Sequence, residues 1–427
     1  MSVSTPSTPP TPSPSDGCVI VVSSLGASHR RTFMETVSAH YPIWLFVGGP
    51  GRAQEPSWEL PYVTGYTSVD TLDPDAMLAV VRALPGHIRV RGIVCYDEAR
   101  VVAAAKLATA LGLPAPDPDA VLRCRDKHLT RTALDAAGVP QPQSVAVRSL
   151  DEALVAAQKI GYPVVLKPRN LAASFGVTRA DSDEDVAAAY AAAGEKTLPE
   201  VLEHHEDGVL VEEYLDGEEI SIDSACFGGR IEPLVVAHKL VGFPPNFLEM
   251  GHTVSADDPL LNDPDVRAVV IGAHRAVGFD TGATHLELKL TSRGPRVVEL
   301  NARLAGGLIP YLGRLTGGAD LELAAATIAC GRVPDLSGTE GAPVAAIRYF
   351  YPDHDLVVGE LCIDEAALPA SVERAELLTS VGAQVRLPPR GSAWESYVAQ
   401  AVVTGDTVAD CHRDLDAAAS AVVVVPA

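Results

Sequence analysis

Cysteine is scarce in this chain and badly spaced for cross-linking. The seven cysteines, at positions 18, 95, 124, 226, 330, 362 and 411, are scattered, odd in number and never in a CxxC spacing. That speaks against a disulfide framework or a thiolate zinc site and implies a reduced, cytoplasmic protein. Long apolar runs are missing as well. None reaches the ~18–20 residues that span a bilayer, and the N-terminus lacks the basic start and apolar core of a secretory signal. Basic residues are outnumbered, 33 against 55 acidic ones, for a net charge of −22. A nucleic-acid or anionic-membrane surface needs a cationic footprint, so neither partner is expected. A local Lys/Arg cluster can still hold a small anion. Two catalytic signatures are absent too. The turn after the first apolar strand, SSLGASH, is not GxGxxG, which disfavours a dinucleotide-dependent dehydrogenase. No GxSxG elbow or paired Cys/His is evident, so an acyl-enzyme is not suggested.

What is present is an ordinary globular composition, 427 residues with 47% hydrophobic and 21% charged, enough for two to four domains. Residues 1–16 are Ser, Thr and Pro with almost nothing to bury, and a disordered tail is expected. Strand-like runs at 17–24, 43–47 and 92–96 alternate with helical stretches at 28–40 and 98–111, which implies a parallel sheet. The Pro-rich stretch 113–118 marks a boundary. A helix is expected over 123–137 with Asp126-Lys127 near its start, and a capping box at Ser149 opens another to about 160. The run 162–168 is a short strand with Lys167 at its exit, 169–177 a loop, and 183–193 a helix. Strands follow at 209–227 and 231–240. Residues 241–258 are rich in Pro and Gly and read as a long loop. Helices at 265–277 and 320–330 bracket a hairpin, and from about 341 the pattern turns to shorter strands with a final helix near 407–418. No internal repeat is found.

The hairpin carries the strongest chemical pattern. Runs 284–290 and 296–303 flank a turn signal at 291–295. If it folds about Arg293, Glu287 lies opposite Glu299 and His285 opposite Asn301 on one polar face, with Arg303 next along. Like charges directly opposite destabilise a sheet pair, so this arrangement calls for a cation between them. Hard oxygen donors suit Mg²⁺ that keeps waters and shares phosphate oxygens. The plain alternative is the solvated face of an ordinary hairpin. Lys127 and Lys167, on separate elements, can converge on a polyphosphate as point charges; two surface lysines are the alternative there. The acidic cluster at 212–219 reads on its own as a solvated face.

Taken in order, Asp126-Lys127 on a helix, YPVVLKP, a small-residue loop, VEEYLDGEEIS and HLELKL–turn–RVVELNARLAGG resemble the ATP-grasp superfamily of carboxylate–amine ligases over about residues 90–335. The ending ELNARLAGGLIPYL and the stretch FLEMGHTVSAD look most like the L-amino-acid ligases that make dipeptides. The resemblance implies an α/β (α+β) ATP-grasp fold: a Rossmann-like parallel-sheet domain at 17–120, a small lid region at 121–210, a central domain with the metal hairpin at 211–340, and a C-terminal subdomain at 341–427, the last two sharing a larger antiparallel sheet. It assigns Lys127 and Lys167 to ATP phosphates and lays a loop with Ser174 and Gly176 over them. The backbone of Glu212, Glu213, Tyr214 and Leu215 would meet the adenine edge, and Glu219 the ribose. Glu287, Glu299 and Asn301 become ligands for one or two Mg²⁺, with Arg303 facing the transferred phosphoryl and Lys289 or His285 neutralising the acids. Gly306 and Gly307 would leave room in an amino-acid pocket for a medium or bulky side chain. Glu249 and His252 are candidates to grip an amine or carboxylate, and Arg314 to pair with a substrate carboxylate.

The activity so implied is ATP-dependent: an amino-acid or peptide carboxylate is activated as an acyl-phosphate and joined to an amine. Competing readings are a carboxylase-type relative using bicarbonate and usually biotin, and a non-catalytic ATP-binding module, which should have lost Glu287, Glu299 or Arg303. Ligases of this superfamily are often dimers, so a homodimer fits the resemblance.

Overall fold

A computed structural model of the chain describes residues 17–427 apart from 50, 52–53, 172–173, 195–207, 389 and 392. The tail expected over 1–16 lies outside the described residues. The chain forms two compact units, one running to Pro118 and including Glu322–Asp335, the other made of Asp119–Leu321 and Leu336–Ala427.

The first unit contains β1 (Cys18–Val22), α1 (Ala27–Ser38), β2 (Ile43–Val47), β3 (Gly65–Ser68), α2 (Pro74–Ala83), β4 (Val90–Cys95) and α3 (Val101–Ala110). Its sheet is parallel, in the order β3-β2-β1-β4. The central strand β1 (CVIVV) is buried along its whole length, without alternation, as a parallel strand covered on both faces requires. Asp73 caps α2 by accepting from the Asp75 and Ala76 amides, with Pro74 in the first turn. Residues 322–335 were expected with the central domain, yet they fall in this unit. There Glu322 accepts a 2.8 Å bond from Thr32 Oγ1 of α1.

The second unit opens with α4 (Pro118–Arg125) and α5 (Lys127–Ala136). The single helix expected over 123–137 is therefore broken at Asp126. That residue adopts extended φ/ψ and caps α5 through the His128 and Leu129 amides. An Asp able to cap its own downstream amides competes with helix continuation. Next come β5 (Ser144–Val147), α6 (Leu150–Ile160), β6 (Val164–Pro168), β7 (Thr178–Ala180), α7 (Asp183–Gly194) and β8 (Val209–Glu213). They make a small antiparallel sheet, β5-β8-β6-β7, whose core includes Ala156, Val164, Leu166, Val186 and Val211.

The larger sheet draws on β9 (Glu218–Phe227), β10 (Arg230–Gly242), β11 (Leu248–Ser255), β12 (Gly282–Thr291), β13 (Gly294–Asn301) and β14 (Val344–Phe350), with α8 (Pro264–Val277) before β12 and α9 (Ile309–Leu315) after β13. The chain then forms β15 (Leu356–Ile363), β16 (Val372–Leu377), β17 (Gln384–Val385), β18 (Ala399–Gly405) and β19 (Val422–Pro426). The order is β13-β12-β9-β10-β11-β14-β18-β16, with a separate β17-β15-β19 sheet. The long loop expected over 241–258 is instead largely strand. β10 runs on to Gly242 and β11 returns, paired on one side with β10 and on the other with β14. A hairpin ladder with β10 and a long-range ladder with β14 together outweigh the local Pro/Gly content. Gly251 is required there, since a Cβ would lie 2.2 Å from the Ile347 carbonyl oxygen of β14.

Candidate functional site

In the second unit, polar residues gather on one face of the eight-stranded sheet by register alone. His285 pairs with Asn301 across β12–β13 and with Asp223 across β12–β9. Glu287 pairs with Glu299 and, on its other side, with Ser221. Lys289 stands beside Glu219 and Lys239 beside His252 on β11, while the Lys239 side chain reaches Glu219 on β9. The intervening residues Leu286, Leu288, Ile220 and Ile222 are buried on the other face.

The expected opposition of Glu287 and Glu299 is present, but not through a wide turn about Arg293. The strands reach Thr291 and Gly294, leaving a two-residue turn, and from there to Leu288–Val297 the pairing is regular. The register then shifts so that Val298 is passed over and Glu287 meets Glu299. A bulge thus puts both acids on one face.

The acids are neutralised by lysines. Lys239 Nζ lies 2.7 Å from Glu287 and 3.3 Å from Glu219, while Lys127 Nζ is 3.1 Å from Glu299 and 2.6 Å from the Leu171 carbonyl. Lys289 takes the other Glu219 oxygen at 3.3 Å. His285 bridges Asp223 at 2.7 Å and Glu287 at 3.3 Å. Burial pushes the Glu287 carboxyl up, but Lys239 and His285 outweigh it and hold the acid well below its usual range. Burial likewise pulls His285 down, yet Asp223 and Glu287 raise it to about 9, so it is a cation at neutral pH. The Ser221 hydroxyl and one oxygen of Asp223, both fully buried, have no hydrogen-bond partner among the described residues.

Lys167, at the exit of β6, lies 2.6 Å from Glu212, which Arg131 of α5 also grips through Nε at 2.7 Å and Nη2 at 3.1 Å. Burial raises Glu212, and Arg131 with Lys167 reverses that to hold it at about 2. Lys167 moves the opposite way from what a simple pair would give. Burial lowers its ammonium, Glu212 only partly restores it, and nearby Arg131 and Lys127 depress it further. One carboxylate shared between two cations explains both directions.

The remaining expected residues divide. In 212–215 the Glu213 amide donates to Gln143 and the Tyr214 amide to Pro163, whereas no hydrogen bond among the described residues uses the Leu215 N–H. The Glu213 side chain is bound to Arg293 in the hairpin turn. Glu249 and His252 face each other at 2.5 Å; a bulge between their strand and β10 lets residues three apart share the sheet face. Burial pushes the Glu249 carboxyl up, and His252 and Lys239 bring it to about 2. Gly307 departs from expectation. A Cβ there would sit 2.5 Å from His252 Nε2, so its missing side chain accommodates the imidazole rather than a ligand, while Gly306 faces open space. Arg303 donates to the Leu304 carbonyl at 2.8 Å. Arg314 is paired with Asp320 at 3.4 Å and lies over the Tyr311 ring. Ser174 and Gly176 occupy left-handed backbone, and a Cβ on Gly176 would press on Pro168 and Ala193, so this glycine serves a packed turn. Ala172 and Ala173 of that loop lie outside the described residues.

Lys239, Arg131 and Asp223 were not singled out in the sequence. Lys239 had a signal, being a lysine at the polar end of an apolar strand, like Lys167. Arg131 had another, its i,i+4 spacing from Lys127 on one helix face.

The donor set fits a divalent cation. Among the described residues no group of three or more His, Cys, Asp or Glu side chains could hold a metal. Two carboxylates and the Asn301 amide leave positions for water and phosphate oxygens, as Mg²⁺ prefers, and do not form a closed structural cage.

The ATP-grasp domain family matches residues 160–310 and the ATP-grasp N-terminal domain family residues 46–115. A phosphoribosylamine–glycine ligase of Streptomyces coelicolor is 32% identical over 303 residues, covering 67% of this chain and 68% of that protein. The chain belongs to the ATP-grasp superfamily. Its parallel sheet, small antiparallel sheet and larger antiparallel sheet are those of the ATP-grasp fold. The crystal structure of an L-amino acid ligase from Bacillus licheniformis superposes with a TM-score of 0.78 at 19% identity, covering 96% of this chain and 99% of that one. An alanine–anticapsin ligase of Bacillus subtilis is 28% identical over 316 residues, 68% of this chain and 65% of that protein, so the ATP-grasp chain spans just under two thirds of that relative. Among the described residues no helix is long and apolar enough to cross a membrane.

Proposed function

We propose that the second unit carries the active site of an ATP-dependent carboxylate–amine ligase whose acyl donor is an amino acid or peptide. The observation that carries this reading is the facing pair Glu287 and Glu299, each with its own buried lysine and with Asn301 and Arg303 next along. In this reading Lys127 and Lys167 bind phosphate oxygens, the Leu215 amide meets the adenine, and Glu219 takes the ribose. Glu287, Glu299 and Asn301 would hold Mg²⁺, which when bound neutralises the terminal phosphates of ATP. Two of the similar proteins, named as alanine–anticapsin ligase and L-amino acid ligase, support an amino-acid substrate.

The chemistry follows from positioning and charge. A substrate carboxylate oxygen forms a bond to the γ-phosphorus as the bond to the β–γ bridging oxygen breaks, and ADP leaves with that electron pair. The amine nitrogen then attacks the acyl carbon, and the C–O bond to phosphate breaks. Arg303 balances charge on the phosphoryl oxygens and then on the tetrahedral oxyanion. The Glu249–His252 pair is suited to hold the amine.

Purified protein should release ADP only with Mg²⁺ and an amino-acid substrate, and hydroxylamine should trap the activated acyl group as a hydroxamate. Glu299→Gln or Arg303→Ala should abolish ADP release while circular dichroism stays unchanged. Wild-type turnover in either variant would refute the assignment. Rapid ADP release with bicarbonate alone would move the chain to the carboxylase reading.

A further inference from the structure

We infer that Arg131 is a positioning residue that sets which way Glu299 faces, by gripping the bulge in β13. The inference rests on the reading of Glu287 and Glu299 as metal ligands. Were the register at the hairpin turn continued unbroken, Glu287 would meet Val298, and Glu299 would fall on the apolar face with Leu286. The one extra residue, Val298, turns Glu299 over.

A bulge disrupts the ladder, and β13 is the edge strand of its sheet, so its outward carbonyls need partners. Arg131 supplies them. Nη1 donates to the Val297 carbonyl at 3.2 Å and Nη2 to the Val298 carbonyl at 2.7 Å. Nε and Nη2 at the same time hold the two Glu212 oxygens, and the side chain is buried. A planar guanidinium can serve four acceptors in this fork. A lysine ammonium cannot. Because Glu212 also holds Lys167 at 2.6 Å, one buried carboxylate ties the phosphate-side lysine to the strand that presents the metal-side acid. No other side chain is recorded on these two bulge carbonyls among the described residues.

Arg131→Lys keeps the charge and removes the fork. Mn²⁺ binding, followed by electron paramagnetic resonance with a non-hydrolysable ATP analogue present, should weaken about tenfold or more, the range found when an outer partner of a metal ligand is lost. Melting temperature, measured alongside, separates this from general loosening. If Arg131→Lys does not fold, Arg131→Met with Glu212→Gln removes the fork without stranding a buried carboxylate, and the same weakening is expected. A folded variant that binds Mn²⁺ as tightly as wild type overturns the role of Arg131 alone. Wild-type protein that binds no Mn²⁺ with the analogue overturns the metal reading and this inference with it.

Discussion

Lys239 and Glu287, on strands separated by β9, meet at 2.7 Å between Nζ and Oε1, so the acid proposed as a metal ligand has a buried cation beside it, one that it shares with Glu219. The repulsion expected between Glu287 and Glu299 is relieved by two lysines, Lys239 and Lys127, one per carboxylate. A divalent ion bound here, as proposed, would share these acids with the lysines already on them.

Lys239→Met should therefore take the nearest cation from Glu287, leaving it His285 at 3.3 Å, and leave Glu219 with Lys289 alone. Removing one partner of a buried ion pair costs about 3–5 kcal/mol, to be read from urea unfolding without nucleotide. Mg²⁺ should recover more stability in this variant than in wild type, because the vacated charge is restored by binding. A loss under about 1 kcal/mol would show that Lys239 does not carry the pair.

The two glycines after Arg303 should behave differently. Gly307→Ala puts a methyl group against His252 Nε2 at a position with φ +58°, so it should displace the Glu249–His252 pair and cost about 1 kcal/mol or more from backbone strain alone. Gly306→Ala meets nothing within 4 Å and should fold as wild type while shifting substrate preference. Equal effects of the two on melting temperature would contradict this packing.

Acid stability offers a test of the Arg131–Glu212–Lys167 cluster. Glu212 is held at about 2 in the fold, below its usual 4.5, so its contribution is full above about pH 4.5 and is lost as pH falls toward 2. Glu212→Gln should destabilise at pH 6, and the gap to wild type should close across that acid range. A gap of constant size in thermal melts would mean that Glu212 does not titrate as described.

His238 gives the opposite sign. Paired with Asp258 at 2.7 Å and Glu218 at 2.6 Å, it is raised to about 9, chiefly by the Asp258 bond. Its stabilisation is full below about pH 6.5 and fades as pH rises through 9. The melting-temperature difference between wild type and His238→Gln should be largest near pH 6 and small at pH 9.5.

The sequence by itself determined the parallel sheet, the polar alternation of 284–303 and the identity of the lysines and acids on it. Those features are local: period two assigns side chains to faces, and buried strands are apolar throughout. Only the tertiary structure decided how Glu299 reaches the face of Glu287. That depends on a bulge whose carbonyls are held by Arg131, 166 positions away along the chain. The break at Asp126, the strand at 248–255 and the use of Gly307 were settled the same way. A capping side chain, a second ladder and a neighbouring imidazole each supplied a contact that no local pattern contains.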